Sequence, residues 1–220
     1  GDMGPRTNGM VSVTWVYETH HPTLALQTLS RISPLLETVG YIGPIDIDVI
    51  IDEKGNPNGI EWTPRLNNFQ ALCGLIQGDF GHQLARFMAG NIDGFDARTD
   101  VYCLTANISV PPFPYDAKEA AGFPIPDTVT RDPRVYPRDI QIDKNGRCVI
   151  TGVDACVGTV RALGTDLTTL REEVLNLINR LSIPYVHHGM QLVSLASQLL
   201  CALSSFAFDQ SVIRIVVPER

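Results

Sequence analysis

The stretch that most constrains how this chain can fold is 45–63. Ile45, Ile47, Val49 and Ile51 alternate with Asp46, Asp48 and Ile50, the period of two that an extended strand imposes. Asp52-Glu53-Lys54-Gly55-Asn56-Pro57-Asn58-Gly59 is rich in turn-forming residues, and Ile60-Glu61-Trp62-Thr63 resumes an extended pattern. The whole reads as a β-hairpin. If its apolar side chains share one face, Asp46 and Asp48 fall on the other face together with Glu61 and Thr63. Carboxylates that meet across neighbouring strands repel unless a cation or a base lies between them. Magnesium suits such a place, because it prefers hard oxygen donors and is commonly held by one or two carboxylates plus substrate phosphates. Arg65 follows at the end of the second strand, within reach of a phosphate. A solvent-facing sheet surface with scattered acidic residues is the other reading of these residues, and spacing alone does not separate the two.

Around the hairpin, strands and helices alternate irregularly, which predicts an α+β fold. Val11, Val13 and Trp15 alternate as a strand; apolar positions 25, 29, 32, 36 and 39 predict a helix kinked at Pro34 and ended by Gly40. Residues 69–89 read as one helix, and 101–110 as a strand. Seven prolines between Pro111 and Pro137 predict a connector with little regular structure. A second hairpin follows over 139–151, turning at Asp143-Lys144-Asn145-Gly146, then a strand over 157–163. A helix capped at Asp166 or Thr169 runs to Leu181.

Charge and composition exclude several classes. Against 17 Lys and Arg stand 24 Asp and Glu, a net charge of −7, which argues against a nucleic-acid or anionic-membrane binder. No secretory pattern is visible at Gly1-Asp2-Met3-Gly4-Pro5, and Cys73, Cys103, Cys148, Cys156 and Cys201 are odd in number with no C-x-x-C pair. These point to a reducing, cytoplasmic address and to buried apolar thiols. Residues 189–208 carry no charge, but Gln191, Gln198 and four serines interrupt them; the segment reads as a helix buried in a domain or in a homo-oligomer interface rather than as a membrane span. His20-His21 and His187-His188 lack a third ligand at metal-like spacing and read as surface or core histidines.

Ile60-Glu61-Trp62-Thr63-Pro64-Arg65, after Gly43-Pro44-Ile45-Asp46-Ile47-Asp48, resembles the closing hairpin of ATP-grasp ligases. More specifically, Gly1-Asp2-Met3-Gly4-Pro5-Arg6-Thr7-Asn8-Gly9-Met10 resembles the glycine-rich loop of the phosphoribosylamine–glycine ligase family. Ile108-Ser109-Val110-Pro111-Pro112-Phe113-Pro114 resembles the strand and proline loop that open that family's C-terminal domain, and Val160-Arg161-Ala162-Leu163-Gly164-Thr165-Asp166-Leu167 its strand-to-helix turn. The four matches fall in the right order and cover nearly the whole chain.

The resemblance implies the C-terminal half of an ATP-grasp domain over 1–100, followed by a small β-rich C-terminal domain with packed helices over 101–220. It implies ATP and magnesium as cofactors, with Asp48, Glu61 and Thr63 as metal ligands and Arg65 stabilising the transferring phosphoryl group. Thr63 stands where the family has Asn. Asp2, Gly4, Thr7 and Gly9 would lie in a substrate or nucleotide loop, although the residues themselves also allow a flexible lead-in. The implied reaction joins a carboxylate to an amine through an acyl phosphate, with glycine and phosphoribosylamine as substrates. Two departures stand out. The family's Arg-Phe-Gly-Asp-Pro-Glu reads Arg65-Leu66-Asn67-Asn68-Phe69-Gln70 here, so both carboxylates have become amides; its later Tyr-Arg-x-Asp-Ile-Gly gives way to His187-His188-Gly189-Met190-Gln191-Leu192. A different substrate, a fragment inactive alone, or a non-catalytic domain acting in association therefore stay open.

Overall fold

The computed structural model describes residues 4, 10–16, 23–90 and 95–190. In chain order the elements are β1 (Val11–Thr14), α1 (Thr23–Gln27), α2 (Leu29–Thr38), β2 (Asp46–Ile51), β3 (Pro57–Thr63), α3 (Phe69–Leu75), α4 (Phe80–Met88), β4 (Tyr102–Ser109), α5 (Thr128–Arg131), β5 (Val135–Pro137), β6 (Ile140–Ile142), β7 (Cys148–Ile150), β8 (Cys156–Gly164) and α6 (Leu167–Leu181). The mixture is α+β, as the irregular alternation of patterns predicts. Two compact units result: among the described residues, one takes the chain up to Thr14 together with Tyr102 onward, and the other takes Trp15–Val101.

The first unit is built on a four-stranded antiparallel sheet in the order β1-β4-β8-β5. Strand β4 lies between two partners and is buried almost throughout, with Leu104, Ala106 and Ile108 on one face and Cys103, Thr105 and Ser109 on the other. Helix α6 packs on β8 and β4 through Leu167, Leu170, Val174, Leu177, Ile178 and Leu181, the three- and four-residue steps of a single helical stripe. Its start is set by Asp166, whose carboxylate accepts from the Thr169 N–H at 2.7 Å, a bond that also holds the Asp166 carboxyl below its ordinary value. The hairpin β6–β7 turns through Asp143, which accepts from the N–H groups of Asn145 and Arg147, with Gly146 at φ +77°.

In the second unit, β2 and β3 form a two-stranded antiparallel hairpin. Its turn is organised by Asp52, which accepts from the N–H groups of Lys54 and Asn56 while Gly55 adopts φ +84°. Strand β3 starts earlier than its apolar residues suggest, at Pro57, and a bulge between Asp48 and Val49 absorbs one extra residue.

Three local expectations need correction. The helix expected over 25–39 is two helices, α1 and α2, separated at Thr28, with Pro34 inside α2; Thr28 turns its hydroxyl back onto the Leu24 carbonyl at 2.7 Å. The helix expected over 69–89 is two helices. Gly78 at φ +70° leaves the helical region, Asp79 recaps α4 by accepting from the His82 N–H, and Ile76 pairs with Ala97 instead of continuing α3. Phe80 and Phe87 then close on Phe95 with centroids 6.1 and 5.5 Å away, tertiary contacts that no local period encodes. The proline-rich connector holds more order than expected: a 3₁₀ turn over Ala117–Ala120, α5 and β5.

The uncharged segment 189–208 lies outside the described residues except for Gly189 and Met190, both buried. Among the described residues no helix is long and apolar enough to cross a membrane.

Candidate functional site

The hairpin register sets the chemistry of the second unit. Asp48 stands directly opposite Glu61, and Asp46 directly opposite Thr63, so all four side chains occupy one face, as the alternation requires. Glu61 is exposed and Asp48 half-buried, which leaves the pair open to solvent on one side. The Thr63 hydroxyl donates to Glu61 Oε1 at 3.3 Å, bringing a third oxygen beside the carboxylates. Arg65 is exposed just past the strand, where its N–H donates to the Thr63 carbonyl at 2.9 Å and tightens the exit of β3. Asp48, Glu61, Thr63 and Arg65 are thus gathered at one end of one hairpin.

Asn67, which the sequence reading did not place in the site, belongs to it. Its side-chain amide donates to Asp46 Oδ2, and its own Oδ1 accepts from the Asn68 N–H at 2.9 Å. Asn68 adopts φ +46° to start α3, so the turn that replaces the family's acidic stretch is folded back on the hairpin. The available signal was the amide itself: a neutral donor can satisfy Asp46 where a carboxylate would repel it.

The donor set suits a hard cation. It consists of carboxylate and hydroxyl oxygens with no thiolate or imidazole among them, and among the described residues no three His, Cys, Asp or Glu converge as an all-protein metal cage.

Of the loop residues expected at the ligand, Gly4 is described, whereas Asp2, Thr7 and Gly9 lie outside the described residues. Gly4 belongs to the first unit, has φ +88°, and rests against the His187 ring. His187 is joined to the end of β4 by an antiparallel bridge: its N–H donates to the Ser109 carbonyl at 2.7 Å and its carbonyl accepts from the Ser109 N–H at 3.2 Å. His188 is buried, while His20 and His21 lie outside the described residues. Burial pushes the Cys103 thiol up to about 12 and the Cys156 thiol up to about 11, so neither is a ready nucleophile.

No protein-family model matches the sequence, and no curated protein sequence matches it. Solved structures do match. The fold resembles that of ATP-grasp enzymes, and the chain covers 46% of the length of the first of these structures and 43% of the other two. It superposes on the phosphoribosylamine–glycine ligase of Thermotoga maritima with a TM-score of 0.59 and 20% identity, covering 86% of this chain and 46% of that one. The biotin carboxylase domain of 2-oxoglutarate carboxylase from Hydrogenobacter thermophilus, solved with MgADP and bicarbonate, matches with a TM-score of 0.54 and 17% identity over 87% of this chain and 43% of that one. The biotin carboxylase subunit of pyruvate carboxylase gives 0.55 and 15% over the same shares. The likeness is to the fold that the four sequence motifs imply.

Proposed function

We propose that this chain carries the magnesium- and phosphate-binding hairpin of an ATP-dependent carboxylate–amine ligase. The observation that carries the reading is the direct cross-strand opposition of Asp48 and Glu61, which sets two hard carboxylate groups side by side where a cation can be shared. Asp48 and Glu61 present the hard oxygens, and the Thr63 hydroxyl adds a third while steadying Glu61. The Asn67 amide holds Asp46 on the hairpin flank. Arg65 offers a planar guanidinium to a phosphate oxygen. Bound magnesium would supply charge neutralisation on the ATP phosphates. In the resembling ligases the γ-phosphoryl group passes to a carboxylate to give an acyl phosphate, which an amine then displaces as an amide. Glycine and phosphoribosylamine are the substrates this reading names, in the cytoplasm, with Asp2, Gly4, Thr7 and Gly9 in the substrate or nucleotide loop.

The test is Glu61→Ala in the complete protein, titrated with ATP at fixed magnesium. Losing a ligand should weaken magnesium-dependent binding by at least about tenfold; an unchanged affinity sinks the assignment. A second reading is favoured by Asn68 and Gln70 at positions where the resembling family is acidic: a diverged, non-catalytic domain that acts by association. ATP hydrolysis that requires glycine and phosphoribosylamine together supports the ligase, whereas turnover with another amine points to a relative of different specificity.

A further inference from the structure

Two buried polar atoms of the first unit stand on neighbouring residues without hydrogen bonds. Ser109 closes β4 and is 1% exposed. On one side it pairs with Cys156 of β8, whose thiol turns to the backbone carbonyls of Ile108 and Gly158 at 3.6 and 3.8 Å. On the other side Ser109 exchanges both backbone bonds with His187: its N–H donates at 3.2 Å and its carbonyl accepts at 2.7 Å. Residues bonded in this way carry their side chains on one face, with Cβ atoms about 5 Å apart. The Ser109 hydroxyl and His187 Nδ1 therefore share a face, and each is buried with no hydrogen-bond partner among the described residues.

Each atom loses its hydration on folding and gains no protein bond in return, which is destabilising and uncommon. A direct bond needs Oγ and Nδ1 within about 3.2 Å of each other, and they do not make it. Two hydrogen bonds in series through one water span about 4.5–5.5 Å, the scale that cross-strand neighbours set. Two polar partners are also the least that an ordered buried water needs. Water matches the chemistry of both ends. Burial lowers the imidazole from its ordinary 6.5, so at neutral pH the ring is uncharged and Nδ1 accepts or donates according to its tautomer. A hydroxyl and a water each do both. A Cβ on Gly4 would stand 2.6 Å from Nδ1, so the lack of a side chain at residue 4 leaves room beside that atom. We infer that Ser109 Oγ and His187 Nδ1 hold one buried water between them. This water ties the end of β4 to the segment that follows α6, and its site includes no residue of the β2–β3 hairpin.

The test uses the complete protein. In a crystal structure that resolves ordered solvent, a water should lie within about 3.2 Å of both Ser109 Oγ and His187 Nδ1. A direct Ser109–His187 side-chain hydrogen bond, or no solvent density between the two atoms, overturns the proposal. Urea unfolding of Ser109→Ala, His187→Phe and the double variant supplies a second readout. Each single substitution removes one end of the bridge and should raise the unfolding equilibrium constant about tenfold. The double variant should fall within about threefold of either single one, because both ends serve the same water. A rise of about a hundredfold in the double variant would mean two independent sites and overturns the proposal. Unchanged or greater stability in Ser109→Ala also overturns it, since removing a dry, unpaired hydroxyl gives that result. If a variant fails to fold, the solvent position in the parent protein decides alone.

Discussion

Replacing Asp139 should separate two ways of losing a buried carboxylate. Asp139 is 6% exposed and sits just before β6, with the loop between β7 and β8 wrapped around its side chain. Its Oδ2 accepts from the N–H groups of Val153, Asp154 and Ala155 at 3.0, 3.1 and 2.8 Å, and its Oδ1 from the Thr151 hydroxyl. Asp139→Asn can keep its oxygen on the three backbone amides and turn its NH₂ toward Thr151, whose hydroxyl accepts as readily as it donates. Only the charge assistance goes, at a cost of about 1–2 kcal/mol. Asp139→Ala leaves the N–H groups of Val153, Asp154 and Ala155 without this acceptor, the one at Ala155 buried and the other two partly so. At about 1–3 kcal/mol each, discounted because the loop can relax toward water, the loss is about 3–5 kcal/mol. The loop matters beyond itself, since the Ala155 carbonyl accepts the Val110 N–H at 3.1 Å, one residue past Ser109 and its bridge to His187. Urea unfolding of parent, Asp139→Asn and Asp139→Ala, followed by circular dichroism, gives both differences. Equal costs for the two variants would refute the reasoning, because they would mean that the three amides find other partners once the carboxylate is gone.

Two further outcomes follow from burial. Because burial sets the folded value of His187 below the ordinary 6.5, the unfolded chain binds more protons in the window between the two. Stability then rises with pH through that window and levels off above about 6.5; on acidification it falls until the folded imidazole is itself protonated. Urea midpoints between about pH 5 and 7.5 should show this slope in the parent and a shallower one in His187→Phe; identical slopes remove His187 as the cause. Cys103 and Cys156, raised to about 12 and about 11, should resist a small alkylating reagent at about pH 8 in the folded protein and react once it is unfolded. Rapid labelling of either in the native state contradicts the packing of β4 against β8.

Local chemistry made a large part of this molecule legible. The period of two at 45–51 places Asp46 and Asp48 on the face shared with Glu61 and Thr63, and the structure puts Asp48 opposite Glu61. Asp166 and the apolar stripe ending at Leu181 define α6, because a cap and a helical period are both read within a few residues. The order of four motifs implied the architecture that the phosphoribosylamine–glycine ligase structure shares. What escaped depends on contacts between residues far apart in the chain. Gly78 and the cap Asp79 are the local signal for two helices over 69–89, but the Ile76–Ala97 bridge and the Phe95 stack that complete the break lie outside any helical period.

The sequence by itself determined the hairpin over 45–63, helix α6 and which residues carry charge on a common face, since those follow from periodicity, caps and turn chemistry along the chain. Only the tertiary structure decided the strand order β1-β4-β8-β5, the folding of Asn67 onto Asp46, and the meeting of Gly4 with His187. Strand partners and buried side-chain contacts are chosen by the packing of the whole unit, and no window of neighbouring residues contains that choice.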